Sequence, residues 1–258
     1  MLVRCCDNEP RECINVARFL SKLDEFLHAN DMLGAERCLR YWADEARAID
    51  DKRGLLTVTN EQIGFYRRQG QTDKATEACY AALKLLDETG LRHSVSGETV
   101  VVNVATTLGA YGQTDLAAKL YDEAEQTFVA EGKQNTYEYA AFLNNKASTL
   151  YTMGKLDLAD DCLHRAVAVL AEEGSHPYDI AVSYCVLAQV YQKNANGSKK
   201  SLQSLDEAWQ ILCRDDIPRD GDYAYALTKC YPIFAAFGMD LQAEALRQTA
   251  EEIYGAAL

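Results

Sequence analysis

Apolar and polar residues alternate along this chain with the period of an α-helix. Between residues 115 and 131, one stripe holds Leu116, Ala117, Leu120, Tyr121, Ala124, Phe128 and Val129, and the opposite side holds Asp122, Glu123, Glu125 and Gln126. Apolar positions three or four residues apart predict an amphipathic helix. The apolar residues 98–111 predict another helix before it. Strand signals are absent from the sequence, so the pattern predicts an all-α protein.

A glycine between the two predicted helices recurs at a fixed interval. Gly70, Gly112 and Gly154 are evenly spaced, and Gly238 lies twice the same interval after Gly154. The six residues that start at Gly70, GQTDKA, nearly match the six that start at Gly112, GQTDLA. A glycine can take the left-handed conformation that ends a helix, and an aspartate three residues later favours the start of the next. The repeating unit is therefore predicted to be a helical hairpin.

The repeat resembles a known family. The strings NNKASTLYTMGKLDLADDCLHRA (144–166) and LAQVY (187–191) are similar to tetratricopeptide repeats: an alanine lies seven residues before the turn glycine, and alanines lie five and twelve residues after it. The interval between the glycines, about 42 residues, exceeds the common period of about 34 residues. It resembles the long-helix repeats of kinesin light chains and of bacterial peptide-sensing regulators. The resemblance implies a right-handed superhelical solenoid.

Six such hairpins can be placed along the chain, and they are expected to form a single domain over residues 1–258. They cover residues 13–50, 51–92, 93–134, 135–176, 177–219 and 220–258, after an N-terminal tail of residues 1–12. The pattern is weaker at two places. Asn30 stands where the first hairpin should have its glycine, and KNANGSKKS (193–201) replaces the turn of the fifth. These departures affect the register locally and leave the expected fold unchanged.

The charge of the chain excludes some classes of partner. With 26 Lys and Arg against 39 Asp and Glu, the formal charge of −13 would repel a phosphate backbone or an anionic lipid surface. Neither nucleic acid nor a membrane is expected as a partner. The sequence has no apolar run of signal-peptide length and no segment of about 20 apolar residues. We therefore predict a cytoplasmic protein whose nine cysteines are reduced and mostly buried.

Candidate residues for chemistry do not form a recognisable site. The histidines, at positions 28, 93, 164 and 176, are far apart in sequence and belong to no zinc-protease motif. Cys5, Cys6 and Cys13 form a cluster, but zinc would need a fourth ligand. The sequence has no phosphate-binding glycine loop and no nucleophile elbow. We therefore expect no enzymatic activity, no cofactor and no metal.

The resemblance implies where a ligand should bind. In the resembling family, the first helix of each repeat lines a concave groove that takes extended peptides or partner helices, so the chain is predicted to be a non-catalytic protein- or peptide-binding scaffold. The ligand-groove residues should point away from the second helix of their own hairpin. They are Asn60, Arg67, Arg68, Thr99, Asn103, Thr106, Asn144, Asn145, Ser148, Tyr151, Gln189, Gln192, Lys193 and Lys229.

Two of these residues, Asn103 and Asn145, are one repeat period apart and so occupy equivalent places. Their amides could grip a ligand backbone through its N–H and C=O, as the resemblance suggests, or they could bridge neighbouring helices. The cations Arg67, Arg68, Lys193 and Lys229 favour a ligand with an acidic side chain or a C-terminal carboxylate.

Two alternative functions stay open. The chain could sense a short signalling peptide and act on a separate effector chain, or it could assemble with itself through its end repeats.

Overall fold

The computed structural model describes residues 13–174, 176–193 and 197–256. These residues form twelve α-helices and no strand, which confirms the all-α prediction. The helices are α1 Val16–His28, α2 Met32–Ala48, α3 Lys52–Arg68, α4 Thr72–Thr89, α5 Val95–Ala110, α6 Thr114–Ala130, α7 Tyr137–Thr152, α8 Leu156–Glu173, α9 Pro177–Lys193, α10 Ser198–Leu212, α11 Gly221–Ala236 and α12 Asp240–Ala256. Each of the six expected hairpin ranges holds two of them.

Contacts between residues group the chain into two compact units, Met1–Thr127 (unit one) and Phe128–Leu258 (unit two). In unit one, each helix from α1 to α5 packs on the next, and the first helices α3 and α5 also touch. In unit two, each helix from α7 to α10 packs on the next, and α11 packs on α12. The first helix α9 also packs on the first helices α7 and α11. The two first-helix rows are thus α3 with α5, and α7 with α9 and α11. The single continuous domain expected from the repeats stays a prediction.

The turns inside the hairpins carry the backbone conformation that the glycine period predicts. Gly70, Gly112, Gly154 and Gly238 have φ angles of 67°, 84°, 73° and 73°. Asn30 has a φ of 53°, so it does occupy the glycine position of the first hairpin. Asparagine tolerates this left-handed conformation better than most residues. The recurring turn therefore keeps its geometry at Asn30, whereas residues 194–196 of the fifth turn lie outside the described residues.

Small side chains allow the helices to pack closely. The alanines twelve residues after the turn position, Ala82, Ala124, Ala166, Ala208 and Ala250, are all at most 2% exposed. The bulky side chains fill the spaces between them, and each unit has its own apolar core. The alanine period therefore predicted a real packing position.

The cysteines differ from the expectation at one position. Cys13 is disulfide-bonded, so the prediction of a reduced thiol is wrong there. It precedes α1 and therefore lies outside the helix interfaces that shelter the buried thiols. The remaining cysteines in the described ranges are free: Cys38, Cys79, Cys162, Cys185 and Cys230 are buried and Cys213 is exposed. Cys5 and Cys6, the other members of the cysteine cluster in the sequence, lie outside the described residues.

Candidate functional site

The residues of unit one that were predicted to line the ligand groove lie on α3 and α5. Three half-buried side chains, Asn103, Asn60 and Glu61, form a chain of hydrogen bonds there. The Asn103 Nδ2 atom donates to the Asn60 Oδ1 atom over 2.9 Å, and the Asn60 Nδ2 atom donates to the Glu61 Oε1 atom over 3.4 Å. Asn103 therefore links its helix to the neighbouring first helix. This geometry matches the bridging interpretation for Asn103, and it leaves only part of the amide free for a ligand.

The other predicted residues of unit one differ in exposure. Thr99 and Arg68 are exposed. The Arg67 Nη1 atom donates over 3.4 Å to the hydroxyl of Thr107, a residue with 0% exposure, so this guanidinium points partly inward. The Thr106 hydroxyl lies 2.8 Å from the Tyr121 hydroxyl on α6 and so faces its own second helix, contrary to the expected direction. The same hydroxyl donates to the Val102 carbonyl one turn earlier in α5.

Burial raises the pKa of the Glu61 carboxyl above its ordinary value, and the Asn60 hydrogen bond and the Arg68 charge offset this only in part. The folded state therefore takes up its proton at a higher pH than the unfolded state does. As pH rises through this interval, the unfolded chain ionises more readily and the folded state loses stability. Glu61 thus lowers the stability of unit one at neutral pH.

Replacing Glu61 by Gln should raise the melting temperature at pH 7, because it removes a buried charge and keeps an oxygen for Asn60. The gain should shrink as pH falls toward the ordinary pKa of a glutamate, where wild type is protonated as well. Thermal melts of both proteins between pH 4.5 and 8 measure it. Glu77→Gln, on an exposed position of α4, is the control and should show no such trend. A gain that is equal at every pH would contradict the assignment.

In unit two, the paired asparagines of α7 have different environments. The Asn144 Oδ1 atom accepts a hydrogen bond from the Ser183 hydroxyl of α9 over 2.9 Å, so this side chain bridges first helices. The Ser148 hydroxyl donates to the Asn144 carbonyl within α7. Asn145 is half-buried, and its amide has no hydrogen-bond partner among the described residues. Of the two asparagines, Asn145 therefore has the amide without a hydrogen bond in the described ranges.

Two lysines of unit two lie against tyrosine rings. The Lys193 ammonium of α9 is 3.7 Å from the ring centroid of Tyr151 on α7, and the Lys229 ammonium is 4.3 Å from that of Tyr225 on α11. Both lysines are exposed, so each can still donate hydrogen bonds outward. Gln192 is exposed and Gln189 half-buried on the same helix as Lys193. This end of the row offers positive charge and amides together.

One polar cluster on the first helices was missed by the sequence interpretation. The Tyr137 hydroxyl at the start of α7 donates to the Asp179 carboxylate of α9 over 3.1 Å, and its ring centroid lies 4.1 Å from that of His176. Burial raises the pKa of Asp179 above its ordinary value. The hydrogen bond from Tyr137 and the positive charge of Lys229 lower this pKa and so offset part of the effect. Tyr137 and Asp179 are one repeat period apart, so the period itself was the signal that could have paired them.

No group of three or more His, Cys, Asp or Glu side chains in the described ranges could hold a metal ion. No helix in the described part of the chain is long and apolar enough to cross a membrane. The first helices thus carry hydrogen-bonding amides, two ammonium groups that lie against tyrosine rings, and the Asp179 carboxylate hydrogen-bonded to Tyr137.

No protein-family model matches the chain, and no curated protein matches it either. Solved structures do match. BtubC (BKLC) from P. vanneervenii is 25% identical, with a TM-score of 0.68 over 79% of this chain and 83% of that chain. A putative kinesin light chain from Podosopora anserina, with nearly identical TPR-like repeats, is 20% identical, with a TM-score of 0.55 over 77% and 94%. The Rap protein complexed with Competence and Sporulation Factor is 14% identical, with a TM-score of 0.50 over 93% and 74%.

Proposed function

We propose that this chain, a tetratricopeptide-type repeat protein by its fold, is a non-catalytic scaffold that binds a peptide or protein segment on its first-helix rows. The observation that carries the proposal is the free amide of Asn145. It stands on α7 without a hydrogen-bond partner in the described ranges, although its neighbour Asn144 is engaged by Ser183. A half-buried amide with unused donors and an unused acceptor is suited to a ligand backbone.

The ligand is expected to be an extended segment. An amide side chain pairs with both the N–H and the C=O of a peptide unit, and these groups are the same in every sequence. Gln189 and Gln192 on the adjacent helix extend the supply of amides. Affinity would come from the backbone, and sequence preference would come from the side chains around it.

Charge favours a ligand that carries a carboxylate. Lys193 and Lys229 are exposed and lie against tyrosine rings, which restrict their motion before a ligand arrives. An acidic side chain or a C-terminal carboxylate of the ligand would be bound by these ammonium groups. Arg67 contributes less than the sequence suggested, because it is directed at Thr107.

The similar solved structures support a role as a protein-interaction scaffold, but they do not identify the ligand. The Rap structure contains a bound factor, and the likeness to it is one of fold. A sensor of a signalling peptide that acts on a separate effector chain remains the alternative. The absence of a recognisable catalytic arrangement in the sequence agrees with either function.

Replacing Asn145 by Ala should weaken binding about two- to tenfold, which corresponds to the loss of a single hydrogen bond, and leave the melting temperature unchanged. Replacing Asn103 by Ala should lower the melting temperature, because it leaves the half-buried Asn60 oxygen unpaired at a cost of about 1 to 3 kcal/mol. Partners captured from native lysate and identified by mass spectrometry supply the ligand for calorimetry.

Gln203→Ala, which removes an exposed amide from the second helix α10, is the matched control and should change neither quantity. The decisive comparison is of binding affinity: Asn145→Ala and Lys193→Ala should each bind the captured partner more weakly than this control does. A captured partner that binds all three variants as tightly as wild type would refute binding at the first-helix row of unit two.

A further inference from the structure

A cavity of about 440 Å³ opens on the first hairpin, between α1 and α2. Its lining combines cations with aromatic rings: Arg18, Lys22, Arg37, Phe26, Tyr41 and Trp42. Arginine and aromatic side chains are the residues that most often dominate protein–protein binding energy. None of these residues belongs to the first-helix row of α3 and α5, so the cavity is a separate surface of unit one.

The cavity lies on the side of the first hairpin that faces away from the second hairpin. On α2, the Glu36 carboxylate pairs with the Lys74 ammonium of α4 at 2.7 Å, which marks the inward side. At about 100° per residue, Tyr41 lies about 140° around the helix from Glu36. Tyr41 is 56% exposed. The aromatic lining is therefore open to a partner.

The charge at the cavity is positive in a chain whose net charge is −13. Glu25 is the acidic residue of the lining, and it pairs with Lys22. Arg18 and Arg37 are exposed and have no ion-pair partner among the described residues. The cavity is therefore complementary to a partner surface that carries both carboxylates and an apolar side chain.

The last helix of unit two, α12, presents such a surface. Its inner side packs into the core through Ala243, Leu246 and Ala250. Its outer side carries Leu241, Glu244, Ala245, Gln248, Glu251 and Glu252. Leu241 is 87% exposed, the highest value among the large apolar side chains described.

The carboxylates of this outer side are only partly neutralised. Arg247 pairs with both Glu244 and Glu251. Glu252 is exposed and has no partner in the described ranges. The outer side of α12 therefore joins an exposed leucine to surplus negative charge, which complements the cavity in both respects.

We propose that the cavity on the first hairpin binds the outer side of α12 from a second copy of this chain. The Leu241 side chain enters the aromatic cavity, and the carboxylates farther along the same side of α12, which end at Glu252 about 16 Å away, face Arg18 and Arg37. The two surfaces differ, so the contact is head-to-tail and leaves one cavity and one α12 available at the ends of each assembly. The inference is independent of the proposed ligand function, because it uses no first-helix residue of the two rows.

The association should be weak and sensitive to salt. A single helix on a single cavity covers less area than a standard stable interface, which suggests a dissociation constant of about 10 to 100 µM. The charged side chains of the proposed contact, Arg18, Arg37 and Glu252, are exposed to solvent, so salt screens their attraction. Raising the salt from about 50 to about 500 mM should therefore weaken association several-fold.

The test is sedimentation velocity over a dilution series at low salt, with two complementary variants. The cavity variant is Arg18→Glu with Arg37→Glu, and the helix variant is Leu241→Lys with Glu252→Lys. Each variant alone should associate at least tenfold more weakly than wild type. An equimolar mixture should form dimers that grow no further, because the cavity variant still offers a normal α12 and the helix variant still offers a normal cavity.

The control variant carries the same type of change elsewhere, Leu202→Lys with Glu77→Lys, both at exposed positions, and should associate as wild type does. All substituted side chains are exposed, and unchanged melting curves verify folding. A wild-type chain that stays monomeric at every concentration, or a mixture of the two variants that does not associate, overturns the proposal. Association that appears only after residues 1–12 are removed would also overturn the proposal. So would an acidic protein from lysate that binds to a monomer at Arg18 and Arg37.

Discussion

Replacing Gly97 by Ala should destabilise unit one by about 3 kcal/mol, because the new methyl group would collide with backbone. A Cβ atom at this position would lie 1.9 Å from the Leu91 carbonyl oxygen and 2.8 Å from its carbon. That carbonyl cannot retreat easily, since it accepts hydrogen bonds from both the backbone N–H and the hydroxyl of Ser94. Denaturant unfolding followed by circular dichroism measures the change.

Gly64→Ala is the matched control, since Gly64 is also a helical glycine of unit one. The nearest atom to its Cβ would be Arg68 Nη1 at 3.6 Å, an ordinary contact. Alanine favours a helix over glycine, so this variant should gain about 0.5 to 1 kcal/mol. Opposite signs for the two variants are expected. A neutral Gly97→Ala would show that the Leu91 segment is free to move.

Replacing Asp51 by Ala should destabilise unit one by about 2 to 4 kcal/mol, since the carboxylate serves two backbone segments. Its Oδ1 atom accepts from the Gly54 N–H over 2.9 Å and caps α3. Its Oδ2 atom accepts from the Ile14 N–H over 3.0 Å and so ties the segment before α1 to the second hairpin. The side chain is only 7% exposed, so the loss would leave buried donors unpaired.

Asp31 provides the comparison for that substitution. Its carboxylate caps α2 through the Gly34 N–H at 2.8 Å, and among the described residues it has no counterpart of the Ile14 bond. Asp31→Ala should therefore cost about 1 kcal/mol, the worth of a helix cap alone. The difference between the two variants measures the bond to Ile14. Equal losses would mean that this bond contributes nothing.

The sequence predicted the helices well because their signals are local. A left-handed turn position recurs in the first, second, third, fourth and sixth hairpins, and it keeps its geometry even at Asn30. The apolar stripes and the period of small alanines likewise depend on residues that are close in sequence. These features needed no knowledge of which side chains meet across helices.

The direction of polar side chains on the first helices could not be predicted with equal success. Asn103 and Asn145 hold equivalent places, yet Asn103 meets Asn60 whereas Asn145 meets no described partner. Thr106 turned toward α6 because a tyrosine hydroxyl lay within reach. Such choices depend on contacts between helices, which a single sequence does not state.

The packing of each helix on its neighbours in sequence has a consequence for how the protein is made. The helix pairs described in each unit, such as α3 with α4 and α3 with α5, join segments that lie within two consecutive hairpins. Short-range contacts favour fast folding, and each hairpin can bury its apolar face against the preceding one soon after it leaves the ribosome. We therefore expect a nascent chain of this design to expose little apolar surface while distant residues are still being synthesised, and to need little help from chaperones.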